Sequence, residues 1–202
     1  YAVGFARELA DAGHDVTLVG FSSSGASEVE TTHGAGRLVV RRIRRPILDH
    51  GGLLVRALRT PWTNLSLLWG CRRELRTADE VRFSGSPAYV LHFVMPVAKA
   101  LGISTRYRIP DFHPEWLIAT LGRTPWWLKP VVALTRFWRR RVDVIEVLGE
   151  DQRRRLAESG VDLVGRGIMR DKSSVRFVPG MRAASPPAGL AGRKIVLYSG
   201  NW

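Results

Sequence analysis

The sequence is poor in cysteine and in acidic residues. Cys71 is its one cysteine, which excludes an internal disulfide framework or a thiolate metal cluster and makes a reducing cytoplasm the expected compartment. The chain has 18 acidic residues against 31 lysines and arginines, so its formal net charge is +13 at pH 7. Such a basic protein is expected to meet an anionic partner: a nucleic acid, an anionic membrane or an anionic substrate.

Long apolar runs and several well-known catalytic motifs are also missing. No apolar run approaches the roughly 18 residues that a membrane span needs. The sequence contains no Walker A motif, no G-x-S-x-G elbow, no H-E-x-x-H and no zinc-ligand spacing. The arginine clusters fall on separate predicted elements without any nucleic-acid-binding module, so we expect no nucleic acid partner.

What the sequence does contain is an alternation of helical and strand patterns. Apolar residues from Ala2 to Ala10 recur at helical spacing, and Gly13 is suited to end that helix. Residues 22–36 are polar and predict a loop. Strands are predicted at 16–19, 37–43, 79–83, 103–109, 142–148 and 175–178. Helices are predicted at 53–75, with a break near Pro61, and at 87–101 and 150–160. One more helix is predicted to end at 141. This alternation predicts an α/β fold with a doubly wound, Rossmann-like parallel sheet.

The two ends of the sequence suggest a piece of a larger protein. Residues 183–192 are rich in proline and small residues and predict a linker, and residues 195–201 have the pattern of a buried strand followed by a turn. We therefore expect an N-terminal domain at 1–182 that lacks its first strand. A linker at 183–193 and the first strand of a truncated second domain at 194–202 are expected to follow.

Ligands of open parallel sheets bind at the carboxyl ends of the strands, where three segments have distinctive chemistry. The first segment contains Ser84, Gly85 and Ser86, whose backbone N–H groups suit an anion or a sugar hydroxyl. Its alternative is an ordinary turn with Pro87 opening the next helix.

The second segment holds Asp111, His113 and Glu115 between and beside two prolines, and either Asp111 or His113 is suited to act as a general base. In the alternative, Asp111 caps a short helix and His113 packs against Trp116. The third segment contains Glu150 after a predicted buried strand; the helix dipole favours an acidic residue there whatever the function. His14, His50 and His92 are isolated in the sequence and are predicted to be structural.

Several stretches resemble one family in the family's own order. Residues 1–19 look like the first helix and second strand of family-4, GT-B-type glycosyltransferases, and residues 111–115 resemble a D-aromatic-x-P-E segment of members that make cell-surface polysaccharides. The end of the family's acceptor domain is resembled by residues 144–156, and the strand before its linker by residues 175–180. The first strand of its donor domain is resembled by residues 195–202.

This resemblance implies a hexosyltransferase that moves a sugar from a nucleotide-sugar donor to a saccharide or lipid-linked acceptor, with retained stereochemistry and no cofactor or metal. Asp111 is the implied base and His113 the reserve. With the strand-end chemistry above, the candidate acceptor-binding residues are Ser84, Gly85, Ser86, Glu115 and Glu150, and the donor-side residues are Gly200 and Asn201. The given sequence departs from the family pattern in lacking its first Gly-rich loop and its E-x7-E donor domain, and in having Gly180 where asparagine is common. Because the donor domain would hold the nucleotide, we expect the chain alone to be inactive.

Other functions remain open beside this one. The chain is also compatible with a non-catalytic sugar-nucleotide or phosphosugar binding domain, or with a GT-B-like epimerase.

Two segments of the sequence bear on where the protein is located. Residues 53–73 and 126–129 mix tryptophan and leucine with basic residues, a combination that suits an anionic membrane surface. We expect a cytoplasmic protein that is peripheral on the inner face of the plasma membrane; the alternative is that these tryptophans are packed in the core or between domains.

Overall fold

Two β-sheets with helices packed around them make up the described part of the chain. The computed structural model describes residues 2–22, 25, 27–33, 35–44, 53–110 and 112–169, which all belong to one compact unit, Tyr1–Lys172. The strands are β1 Asp15–Ser22, β2 Ser27–His33, β3 Gly36–Arg44, β4 Glu80–Ser84, β5 Ser104–Arg108, β6 Val144–Val147 and β7 Gly167–Met169. The helices are α1 Ala2–Asp11, α2 Leu53–Gly70, α3 Arg72–Leu75, α4 Leu91–Leu101, α5 Glu115–Leu121, a 3₁₀ helix Trp126–Leu128, α6 Lys129–Arg139 and α7 Glu150–Glu158.

The larger sheet is entirely parallel. Its strand order is β4-β5-β6-β7, and helices alternate with its strands along the chain. The smaller sheet has the order β1-β3-β2, with β1 parallel and β2 antiparallel to β3. The prediction of an α/β fold with a parallel sheet flanked by helices is therefore confirmed, and the architecture is consistent with a Rossmann-like fold.

The predicted loop at 22–36 is wrong in its central part, where β2 pairs with β3 over seven residues from Ser27 to His33. The segment is polar because β2 lies at the edge of its sheet, so the apolar pattern of a buried strand is absent. The final predicted strand, the linker and the start of the second domain, at residues 175–202, lie outside the described residues.

Helix α1 packs on the smaller sheet through the stripe that the sequence predicts. Ala6 and Ala10 are buried against Leu38 of β3. Gly36 allows this close approach, because a Cβ atom there would lie 2.3 Å from the backbone oxygen of Ala10. The helix is followed by Gly13 at a φ of 92°, as the sequence predicts.

The sequence pattern predicts a break in the helix near Pro61. The structure shows instead that α2 continues through Pro61 to Gly70. Asn64 attaches this helix to the domain, because its fully buried amide donates to the backbone oxygens of Thr60 at 2.8 Å and Ala88 at 3.0 Å. The contact with Ala88 is tertiary and ties the helix to the turn before α4. No described helix is long and apolar enough to cross a bilayer.

The main core lies on one face of the larger sheet. Tyr107, Ile145 and Val147 point to this face and are buried beneath α4, α6 and α7. The neighbouring residues on the same strands, among them Arg106 and Glu146, lie on the opposite face. Helix α4 begins at Leu91 rather than at the predicted Pro87, because residues 87–90 form a separate turn.

The carboxylate of Asp143, the residue before β6, joins that strand to β5 and to helix α4. Asp143 accepts hydrogen bonds from the backbone amide of Thr105 at 2.8 Å, from its hydroxyl at 2.6 Å and from the ammonium group of Lys99 on α4 at 2.9 Å. Burial opposes ionisation, but the hydrogen bonds from Thr105 and Lys99 outweigh it and hold the pKa of Asp143 below its ordinary value.

We expect Asp143→Ala to lower the free energy of unfolding by about 1–3 kcal/mol, because the fully buried Thr105 loses the acceptor of its amide and hydroxyl. Urea denaturation at pH 7 measures the loss, and Asp151→Ala, which removes a carboxylate on the surface of α7, is the control. Because the folded pKa of Asp143 is depressed, its contribution is complete above the unfolded value near 3.8 and is lost as the pH falls through the folded pKa. The difference between wild type and variant should therefore shrink in acid; a loss equal to that of the control would contradict the assignment.

Candidate functional site

The carboxyl ends of β4, β5 and β6 lie level with one another. Ser84 of β4 pairs with Arg108 of β5, and Arg108 pairs with Glu146 of β6. The turns that follow β4 and β5 therefore emerge side by side, and the rings of Tyr89 and His113 approach within 5.9 Å between centroids. This edge is where parallel sheets place their ligand sites.

Side chains from both turns line a small cavity at this edge. Its volume is about 10 Å³, which is room for roughly one water molecule. The lining residues are Gly85, Tyr89, Leu91, His92, Tyr107, His113 and Thr135. Gly85 and His113 were predicted as site residues; the other residues of the lining were not.

Tyr89 has a backbone conformation that tyrosine rarely adopts. Its φ of 62° lies in the left-handed region, which costs of the order of 1–3 kcal/mol for a residue with a bulky side chain. The conformation directs the chain into α4, where the amide of His92 donates to the backbone oxygen of Tyr89 at 3.0 Å. Strained residues of this kind persist only where the surrounding structure holds them in place, and they are found most often at functional sites.

The hydrogen bonds of His92 define its tautomer. The hydroxyl of Thr135 donates its proton to the backbone oxygen of Val131 at 2.8 Å, so it can only accept from the Nε2 atom of His92, at 3.1 Å. We therefore assign the proton of neutral His92 to Nε2. Its Nδ1 atom is a free acceptor, buried and without a hydrogen-bond partner among the described residues.

Burial, assisted by the positive charge of Arg139, lowers the pKa of His92 to about 4. The ring is therefore neutral at physiological pH and lines the cavity in its uncharged form. The sequence pattern predicts a structural His92 and not a place in this cavity. The available signal was the position of His92 in the first turn of the helix that follows a parallel strand, at the same sheet edge as His113.

Arg139, at the end of α6, holds the turn that carries His113. This side chain is only 1% exposed and donates to the backbone oxygen of His113 at 2.9 Å and to Glu115 Oε2 at 3.2 Å. Its guanidinium also lies over the ring of Phe112 at 5.1 Å. Thr135 lies four residues earlier on α6, so one face of this helix contacts both histidines of the cavity.

The remaining predicted site residues are placed as follows. Asp111 lies outside the described residues, between Pro110 and Phe112, and so do Gly200 and Asn201. Ser84 and Ser86 flank the cavity residue Gly85, whereas Glu150 opens α7 beyond β6 and pairs with Arg153 at 3.5 Å. Glu115 binds Arg139 rather than lining the cavity, and His113 contacts Trp116 edge-on at 5.7 Å, as its alternative role predicts.

Within the described residues, no group of three His, Cys, Asp or Glu side chains is arranged to hold a metal ion. No protein-family model matches this chain, and no curated protein matches it significantly. Any function must therefore be argued from the chemistry of this sheet edge and from the short resemblances in the sequence.

We expect Glu115→Ala to destabilise the domain by about 1–3 kcal/mol, because the buried Arg139 loses its carboxylate partner, while the 37% exposure of Glu115 lets water compensate part of the loss. Thermal and urea unfolding measure the effect. Glu150→Ala is the matched control, since that carboxylate is 69% exposed and belongs to a surface pair. Equal stability of the Glu115 variant and wild type would show that the Arg139 pair does not anchor the turn.

The pH dependence of stability tests whether His92 is buried in its neutral form. The pKa of His92 in the folded protein lies below the ordinary value of 6.5. Between pH 6.5 and 4 the ring is therefore protonated in the unfolded chain but not in the folded one, so the free energy of unfolding should fall as the pH drops through this range. Replacing His92 by Asn should flatten this part of the stability profile. Histidine ring resonances followed by NMR should show one ring titrating near pH 4, and a midpoint near 6.5 for His92 would contradict its burial in the neutral form.

Proposed function

We propose that this chain is the acceptor-side domain of a GT-B glycosyltransferase, which moves a sugar from a nucleotide-sugar donor to a hydroxyl of a saccharide or lipid-linked acceptor. One observation carries the proposal: the carboxyl ends of two parallel strands bring together His113, the neutral His92 and the strained Tyr89 around one cavity. The resemblance of residues 1–19 and 111–115 to that family supports it independently.

The chemistry of the cavity suits a hydroxyl group as nucleophile. A sugar hydroxyl needs an acceptor to orient it and a base to receive its proton. Neutral His92 lines the cavity and can hydrogen-bond, but it is a weak base, because burial lowers its pKa to about 4. We assign it the role of orienting the hydroxyl. Asp111 remains the proposed base, with His113 as the reserve.

The size of the cavity limits how a sugar binds. At about 10 Å³ it has room for one hydroxyl but not for a pyranose ring, so the ring must lie across its mouth. Trp116 is 59% exposed and contacts His113, so it offers an amphipathic aromatic surface beside the cavity. The donor nucleotide is assigned to a second domain, which includes Gly200 and Asn201.

The proposal includes a location and a set of co-substrates. The enzyme works in the cytoplasm, at the inner face of the plasma membrane when its acceptor is lipid-linked. It uses a nucleotide sugar without a metal ion. Retention of stereochemistry is part of the proposal through the family resemblance alone.

Substitution in the protein that carries this segment together with its donor domain tests the proposal. We expect Asp111→Asn to lower kcat by about 10²- to 10⁴-fold with little change in KM for the acceptor, as the loss of a general base does. His14→Gln, at an exposed position near β1, is the control and should leave both constants unchanged.

His113→Gln in the same assay decides between the two candidate bases. If Asp111→Asn stays near wild type while His113→Gln loses turnover, His113 is the base and Asp111 is not. If neither substitution affects transfer, the cavity is not the acceptor site and the proposal fails. Binding of sugar nucleotides without any turnover in the wild type would favour the non-catalytic binding domain.

A further inference from the structure

Helix α2 presents an apolar face to solvent. Trp62, Leu65 and Trp69 are 62%, 51% and 69% exposed, and their spacing of three and four residues places them along one side of the helix. Isolated exposed apolar residues are normal, but two tryptophans and a leucine in one line mark an interaction surface.

The face cannot turn inward, because the other side of α2 is attached to the domain. The buried amide of Asn64 binds the backbone oxygens of Thr60 and Ala88, and Leu68 packs against the cluster that contains Leu75 and Ala98. The exposure of the tryptophans therefore follows from the orientation of a well-anchored helix.

Positive charge borders the apolar face. The guanidinium of Arg72 lies over the ring of Trp69 at 4.3 Å and donates to the backbone oxygen of Trp69 at 2.7 Å. Arg73 and Arg76 are exposed on the same stretch of chain. No acidic residue occurs in α2, and the nearby Glu74 is paired with Arg41. Among the described residues, this stretch of chain therefore carries positive charge beside the exposed tryptophans.

We propose that the surface formed by Trp62, Leu65, Trp69, Arg72, Arg73 and Arg76, here called the α2 surface, docks onto an anionic lipid bilayer. Tryptophan and leucine suit the boundary between headgroups and acyl chains, and basic residues are attracted by anionic headgroups. A second copy of the chain is a poorer occupant, because a two-fold contact would bring the same arginines face to face.

This inference does not rest on glycosyl transfer, but it would place the candidate site near the bilayer. Asn64, on the anchored side of α2, binds the backbone oxygen of Ala88, the residue before Tyr89. The helix that meets the lipid is therefore directly hydrogen-bonded to the turn that lines the cavity. A lipid-linked acceptor would reach a protein already held at the membrane.

Vesicle flotation tests the proposal. The probes are vesicles of phosphatidylcholine alone and vesicles of equal parts phosphatidylcholine and phosphatidylglycerol. We expect binding to the anionic vesicles only, lost at high salt because the charge is screened. The double variant Trp62→Gln, Trp69→Gln and the double variant Arg72→Gln, Arg73→Gln should each reduce partitioning about tenfold or more.

A double variant of Trp126 and Trp127 to Gln is the matched control. Those two residues are 80% and 50% exposed on the 3₁₀ helix, in the other segment that the sequence predicts to suit a membrane, so the control tests whether binding belongs to α2 rather than to any exposed pair of tryptophans. Because all four tryptophans are exposed, the unfolding midpoints should remain close to that of wild type, which keeps loss of binding separate from loss of folding.

Three outcomes would overturn the proposal. One is equal binding to both kinds of vesicle, or to neither, at low salt. Another is full binding by the Trp62 and Trp69 variant together with loss in the control. The last is a wild-type protein that binds no vesicles but forms a concentration-dependent dimer in light scattering. If the Trp62 and Trp69 variant abolishes that dimer, the surface belongs to a second copy of the chain. Transfer activity, measured separately on soluble acceptors, reports on the proposed function and is not expected to change in these variants.

Discussion

A guanidinium that is almost fully buried has to be neutralised and hydrogen-bonded, and the geometry of the candidate site depends on how this chain meets that need. Arg139 binds both Glu115 and the backbone oxygen of His113, so the turn after β5 is held against the end of α6. One turn earlier on the same helix, Thr135 holds His92. Helix α6 thus positions two histidines from different segments, although it contributes no proposed catalytic group itself.

The parallel sheet supplies the other half of the arrangement. Because β4 and β5 are adjacent and parallel, the turns that follow them emerge at the same edge, and Asp143 with Thr105 links β5 to the residues that begin β6. The strained backbone of Tyr89 is tolerated where these turns meet. The strands and the ion pair of the buried Arg139 together keep polar groups in place around a cavity that admits about one hydroxyl.

The excess of arginine has more than one use in this molecule. Arg139 is structural and buried, Arg106 pairs with Glu80 across two strands, and Arg72 stacks on an exposed tryptophan. Net charge alone could not distinguish these roles, since each depends on what the guanidinium contacts. The α2 surface is distinctive because its positive charge and its apolar side chains are exposed together, which is the combination that a headgroup layer accommodates.

The sequence by itself determined the local elements: the helical stripe of α1, the turn at Gly13, the strand before Asp111 and the helix that begins at Glu150 all follow from patterns among near neighbours. It also indicated the strand end that carries His113. It missed β2, because an edge strand lacks the apolar pattern of a buried one, and it missed His92. Only the tertiary structure decided that His92, Thr135 and His113 share a cavity and that Trp62 and Trp69 face solvent. The physical reason is that residues far apart in the chain are brought together by strand order and helix packing, and these depend on contacts that no local pattern contains.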